Sequence, residues 1–381
     1  MKTTSAPTIN TSSQSVAIEQ LLDVGIVIFN PGIDDFDAED EDTRIYPEVR
    51  KAEARFMARQ LANAMEESGA WGPVRLIPDA EQFTDLTVQG RILLSDGESL
   101  ELAIEAHDSR GNVWLDKTYP GQASRYAYEA TTLTRTDPFQ AVYNTIANDL
   151  LAAQETLRTE DRENIRLVTE LLFAQSFAPD AFSGYLAKNP RGNYLVMRLP
   201  AEDDPMLQRT ESIREKDRVF IDTLQGYYSN FDQQMIKPYE EWRKASYEET
   251  MLLQEYQQKS RQRLVTGAVA VAAGVAGLAS DSAAARSAGA LGVYSGGVLL
   301  KSGLELRNEA SLHAEALNEL GMTLDAEITP QVIELEDRTV TLVGNVEEQY
   351  AQWRDLLAEI YRVEVGDLED YENAGTDTAQ Q

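Results

Sequence analysis

The chain has no cysteine and only two histidines in 381 residues. The first absence removes thiol nucleophiles, disulfides, zinc–thiolate sites and iron–sulfur clusters together. It leaves the redox compartment open, because both cytosol and periplasm accommodate cysteine-free proteins. The second leaves His107 and His313 in different expected domains, with no partners at the spacing of a catalytic triad or a histidine-rich metal site. Also missing are G-x-x-x-x-G-K-[ST], G-x-G-x-x-G after a strand, G-x-S-x-G and H-E-x-x-H, so the common nucleotide, hydrolase and zincin readings have no support. Basic residues are few: 34 Lys and Arg face 64 Asp and Glu, a net charge of −30. A nucleic-acid interface would have to be built locally against that field, and the sequence shows no basic cluster for it. No catalytic residue, cofactor or metal ligand is assigned, and the chain is read as non-enzymatic.

The acid itself carries no evident chemistry. "DDFDAEDED" (Asp34 to Asp42) lacks the mid-loop glycine and final glutamate of a calcium loop and reads as a solvated acidic turn. Carboxylates are so common that a glycosidase-like pair cannot be singled out. The first residues, "MKTTSAPTINTSSQSVAIEQ", have no apolar core of the kind an export signal or membrane anchor needs. Their Ser/Thr-rich composition reads as a flexible tether over residues 1–19, as follows a cleaved export signal, with an ordinary frayed cytoplasmic terminus as the alternative.

Periodicity sets the fold class as α+β. "VGIVIF" ends at Asn30-Pro31-Gly32 and reads as a buried strand. Residues 47–69 place Val49, Ala52, Phe56 and Ala64 at helical spacing, with Pro47 in the first turn and Gly69 as the stop. "PVRLIP" is a short strand. Three more follow as a meander, joined by turns at Asp96-Gly97 and Arg110-Gly111-Asn112, and Leu100, Leu102, Ile104 and Ala106 line one buried face. Asp137 and Pro138 open a helix with Phe139, Val142, Ile146 and Leu150 on one stripe. The order β-α-β-β-β-β-α over residues 20–158 describes a small α/β sandwich with helices on one face.

Residues 159–263 read as a helical region with one strand at Tyr194–Leu199. From Met206 a long helix carries Ile213, Phe220, Leu224, Tyr227, Phe231 and Met235 at coiled-coil-like steps, and Trp242 continues the line. We expect Phe220, Leu224, Tyr227, Phe231 and Trp242 to form a helical seam. Pro238 is expected to kink this helix and start a second one. That second helix runs into residues 264–322, a small-residue helical hairpin turning near "SDSAAAR". Residues 323–366 read as strand, strand and helix, and 367–381 as an acidic disordered tail.

The first α/β unit, from about Val24 to Leu157, resembles the periplasmic α/β domains of the curli secretion channel CsgG, the TolB N-terminal domain and related envelope lipoproteins. Val24–Phe29 and Leu86–Ile92 occupy the places of the family's early strand and its "GRI" strand, and "LTVQGRILLSDG" and "GNVWLDKTY" match its meander. The resemblance covers about a third of the chain. It implies an exported, lipoprotein-like protein that self-assembles or docks partners, although the cysteine that carries the lipid is lacking here. "RTVTLVGNVEEQYAQWRDLLAEIY" is similar to half of a BON domain, with Val340, Leu342, Gly344 and Val346 on the family's strand pattern and a final strand at Arg362–Val365. That resemblance implies attachment to a membrane or an envelope partner.

Within the hairpin, Gly267, Gly274, Gly277, Gly289, Gly292, Gly296 and Gly303 recur at three-, four- and seven-residue spacing. Such a face lets two helix backbones approach closely. Ala and Gly contribute little insertion free energy, and Asp281 and Arg286 sit at the turn, so close packing is favoured over a bilayer span. The expectation is a homo-oligomeric scaffold or assembly protein in the periplasm, or on the periplasmic face of the outer membrane. It would associate with other envelope proteins and not with nucleic acid. The alternatives are a membrane-inserting or pore-forming hairpin over 264–303, and a cytoplasmic location.

Overall fold

The computed structural model describes residues 6–12, 17–33, 46–78, 83–124, 126–128, 137–201, 204–274, 331–334 and 339–377. The protein is mixed α+β. Its N-terminal unit runs β1 (Val24–Val27), α1 (Pro47–Glu67), β2 (Val74–Ile77), β3 (Leu86–Ser95), β4 (Ser99–Asp108), β5 (Val113–Gln122) and α2 (Gln140–Glu155), the order read from the sequence. The sheet order is β2-β1-β3-β4-β5. A helical crossover makes β1 and β2 parallel, β1 also pairs parallel with β3, and tight turns make β3, β4 and β5 an antiparallel meander.

Alternation decides which face is covered. Leu100, Leu102, Ile104 and Ala106 are buried, whereas Glu101 and Ala103 are half-buried and Glu105 is exposed. On the buried face Tyr119, paired with Leu102, donates its hydroxyl to Asp149 of α2 at 2.7 Å. Gly121 beside Leu100 leaves room for Val142, since a Cβ there would stand 2.4 Å from its Cγ2. The N-terminal segment, expected as a tether, lies along α2 at Pro7–Asn10. Asn144 and Asn148 donate to the Pro7 and Thr8 carbonyls, and the Asn10 N–H donates to Asn148.

The chain continues through α3 (Thr159–Phe177), the single turn α4 (Pro179–Phe182) and a hairpin of β6 (Leu186–Lys188) and β7 (Tyr194–Val196). Only β7 was expected; β6 has three residues, one of them a lysine, and offers no periodicity to detect. Next comes α5, Pro205–Gly274, a single helix of 70 residues, or about 105 Å at 1.5 Å per residue.

Pro238 lies inside α5 and does not start a new helix, which corrects the sequence expectation. A mid-helix proline costs about 3 kcal/mol through its lost N–H and ring clash. Met235, Tyr239 and Trp242 flank it and are all buried with Val49, Ala52 and Phe56 of α1, an apolar contact large enough to offset that cost.

The C-terminal strands β8 (Gln331–Glu334) and β9 (Thr339–Leu342) pair antiparallel and lead into α6, Val346–Asp377. Two further expectations are corrected here: Arg362–Val365 is helix and not strand, and α6 passes through the segment read as a disordered tail as far as Asp377. This module does not stand apart. Trp353 stacks on Phe220 of α5 at 4.8 Å, and Tyr361 approaches Phe177 of α3 at 6.0 Å. No helix among the described residues is long and apolar enough to cross a membrane.

Candidate functional site: the α5 clamp

The longest element, α5, is fastened to the N-terminal unit at several points. β2 is an edge strand, and an uncovered edge invites strand addition. Gln225 of α5 closes it: its side-chain carbonyl accepts the Leu76 N–H and its amide donates to the Leu76 carbonyl, both at 2.9 Å. Beside it Arg75 pairs with Asp222 at 2.6 Å.

Further along α5 the contact becomes a buried polar cluster. Glu53 of α1 is fully buried, and its Oε1 accepts hydrogen bonds from Ser95 Oγ at 2.6 Å and Tyr239 OH at 2.8 Å. Burial pushes the Glu53 carboxyl up, while Arg50 and the two hydroxyls pull it down. Tyr239 stacks on Trp242 at 5.9 Å and meets Phe56 edge-on at 4.9 Å. Arg243 lies over the Tyr239 ring and donates Nη1 to Asp137 at 2.8 Å, with both side chains buried. Asp137 in turn accepts the Phe139 N–H at the start of α2. One α5 arginine therefore fastens the helix to the α2 cap.

The β3–β4 turn completes the clamp. Ser246 donates to the Asp96 carbonyl at 2.7 Å, and Tyr128 OH donates to the Gly97 carbonyl at 2.5 Å. Gly97 has φ +80°, and a Cβ there would stand 2.4 Å from the Arg243 carbonyl oxygen. Both the left-handed backbone and the close approach exclude a side chain. Gly97→Ala is expected to lower stability by about 2 kcal/mol, read as a shifted urea midpoint; an unchanged midpoint would mean that the turn does not bear on α5.

A second polar cluster joins α3, α5 and α6 below β1. Asp85 accepts Thr169 Oγ1 at 2.6 Å and the Asp23 N–H at 2.9 Å, and Arg218 pairs with Asp23 at 3.1 Å. Asp23, Arg214, Asp217 and Arg218 edge a cavity of about 30 Å³, closed on its apolar side by Phe83 and Phe173. Burial pushes the Asp217 carboxyl up to about 6, against the pull of Arg354, the Trp353 indole, Arg214 and Arg218. Asp232, on the α1 side of α5, is also pushed up to about 6 by burial, with Arg59 and Gln60 opposing.

These groups interlock elements and open onto no enclosed substrate space. A groove of about 470 Å³ between α1, β2 and α5 is shallow and lined by Arg59, Trp71, Arg75 and Asp222 among others. No group of three or more metal-ligating side chains gathers among the described residues.

Of the expected seam, Phe220, Leu224, Phe231 and Trp242 are buried within this chain, and Tyr227 is half-buried beside the buried Tyr228. The seam is thus filled by α1, α6 and the platform core. Gly267 and Gly274 lie in the last part of α5. Gly277, Gly289, Gly292, Gly296, Gly303, His313 and the acidic run at 34–42 lie outside the described residues. Sequence reasoning missed Glu53 and Arg243, which look like surface charges on amphipathic helices. The alanine-rich run "AEARFMARQLANAM" was the available sign that α1 is covered on two sides.

No known family matches the chain, and no curated protein does. Two solved structures are similar to part of it. A PelC dodecamer from Paraburkholderia phytofirmans is 15% identical, covering 39% of this chain and 95% of that one with a TM-score of 0.23. A DUF330 protein from Xanthomonas campestris is 14% identical, covering 41% and 95% with a TM-score of 0.24. Likenesses at these scores decide nothing about function or assembly.

Proposed function

We propose that this is a non-enzymatic scaffold of the cell envelope, in which an α+β platform holds a long helical arm that self-associates. The observation that carries the reading is the continuity of α5. Its apolar seam is consumed by the platform, and Gln254 still bonds the β3–β4 turn through Glu98. The helix then runs on to Gly274, a further 30 Å or so. That extension includes Gly267 and Gly274, the first residues of the glycine face.

The chain that follows α5 must come back to β8, which lies with β9 and α6 at the platform. Fifty-six residues, 275–330, make that return. The glycine face that begins at Gly267 and Gly274 is the surface on which copies associate, and the hairpin expected over 264–303 continues outside the described residues. The CsgG/TolB-like order of the N-terminal unit and the BON-like strand-strand-helix order fit an envelope location.

Sedimentation velocity of the full chain tests the reading. An oligomer is expected at tens of micromolar, reduced to monomer by Gly267→Leu with Gly274→Leu while the thermal midpoint is kept. A wild-type monomer at that concentration would remove the scaffold function.

A further inference from the structure

The β6–β7 hairpin lies in a stretch of the chain that holds basic residues and no acid. Between Asp180 and Glu202 there are three basic residues, Lys188, Arg191 and Arg198, and no acidic one, inside a protein of net charge −30. Strand alternation then sorts its apolar side chains. Leu186 and Val196 face inward and pack on the core, whereas Leu195 of β7, and Met197 and Leu199 in the segment just after it, are 49%, 62% and 71% exposed. We infer that this hairpin is a docking element for an anionic phospholipid surface, inserting Leu195, Met197 and Leu199 between headgroups while Lys188, Arg191 and Arg198 pair with phosphates.

The ribbon is held ready for this. Asn189 Oδ1 accepts the N–H groups of Arg191 and Asn193, and Gly192 at φ +89° closes the turn. The Tyr194 N–H donates to the Arg110 carbonyl, fixing the ribbon to the β4–β5 turn. Arg198 stacks on Tyr185 at 3.9 Å, and Lys188 lies over Tyr194 at 4.7 Å, so their charged ends stay at the rim of the apolar ridge. A preformed ridge loses little conformational freedom on binding.

Size favours lipid over protein. A standard protein interface buries roughly 800 Å² on each partner, far more than three side chains on a two-stranded ribbon supply. Exposed apolar side chains set among cationic ones are the arrangement that enters a headgroup layer. The remaining acid does not forbid approach, because charges farther than about 8 Å are largely screened at physiological ionic strength.

Flotation of the full chain with phosphatidylcholine vesicles, with and without phosphatidylglycerol, tests this. At physiological ionic strength the wild type is expected to float with the anionic vesicles only, and high salt releases it. Leu195→Ser, Met197→Ser and Leu199→Ser together should lower the bound fraction about tenfold, with an unchanged circular dichroism melt because the side chains are exposed. Gly267→Leu should leave flotation unaltered, which separates this surface from the self-association proposed for α5. Protein remaining at the bottom of the gradient overturns the inference. So does a triple variant that floats like wild type, because the lipid contact then lies elsewhere. A triple variant that changes the oligomeric state without changing flotation also overturns it, by identifying a second copy as the occupant.

Discussion

Arg243→Met should lower the unfolding free energy by about 3–5 kcal/mol, the cost expected when one partner of a buried ion pair is removed. Arg243 is 2% exposed, and its Nη1 donates to Asp137 Oδ2 at 2.8 Å. Burial alone would depress the guanidinium, but Asp137 outweighs it and holds the arginine firmly charged. Methionine fills most of the same volume, so packing over Tyr239 and Phe56 is largely kept and the loss reports the stranded Asp137 carboxylate. Asp137→Asn in the Arg243→Met background should recover about half of the loss, because a neutral amide is less costly to bury than an unpaired charge. Urea unfolding of the two singles and the double gives the coupling. A single-variant loss below about 1 kcal/mol would mean that water reaches the pair and that the clamp is a surface contact.

The helix periodicity of Phe220, Leu224, Phe231 and Trp242 was legible because an apolar stripe repeats whatever covers it. What covers it was not legible. The same stripe serves a coiled coil with another chain or a groove on its own platform, and only Gln225 bridging Leu76 and Phe220 stacking on Trp353 decide for the platform. The meander was read correctly for a related reason: Leu100 to Ala106 alternate strictly, and Gly97 and Gly111 mark turns that need positive φ. Two errors share one cause, the override of local signals by packing. Pro238 stays helical because Met235, Tyr239 and Trp242 are buried around it, and α6 passes Gly366 because Trp353, Leu357 and Tyr361 have already fixed its first turns. Once those turns exist, adding residues to a helix costs little. Glu53 went unread because charge in a helix is normally solvated, and its burial depends on Ser95 and Tyr239, which are remote in sequence.

Raised carboxyls along α5 make stability depend on pH in a direction opposite to ordinary acid denaturation. Asp217 and Asp232 each titrate at about 6 in the folded protein against about 3.9 when unfolded. The folded state therefore binds these protons more tightly. Their contribution is fully present below the unfolded value and is lost as pH rises through about 6, so stability should fall between about pH 4 and pH 7. A shift of about two units corresponds to roughly 3 kcal/mol for the well-buried Asp217, and the more exposed Asp232 should give less. Asp149 and Asp161 are lowered, although burial opposes this: Lys117 and Tyr119 hold the first down, Arg158 and Arg110 the second. Their contribution is lost only as pH falls through their folded values, below 3.8, which leaves the window above pH 5 to the raised groups. Fewer charges at lower pH also ease the self-repulsion of a chain at −30, so a general slope in the same direction is expected. Asp217→Asn separates the local effect from that slope. It should raise stability at pH 7.5 by about 2 kcal/mol and at pH 5 by about half as much, whereas Asp116→Asn, at an exposed position, should leave the slope as it is. A variant no more stable than wild type at pH 7.5 would show that Arg214, Arg218 and Arg354 already balance the buried charge.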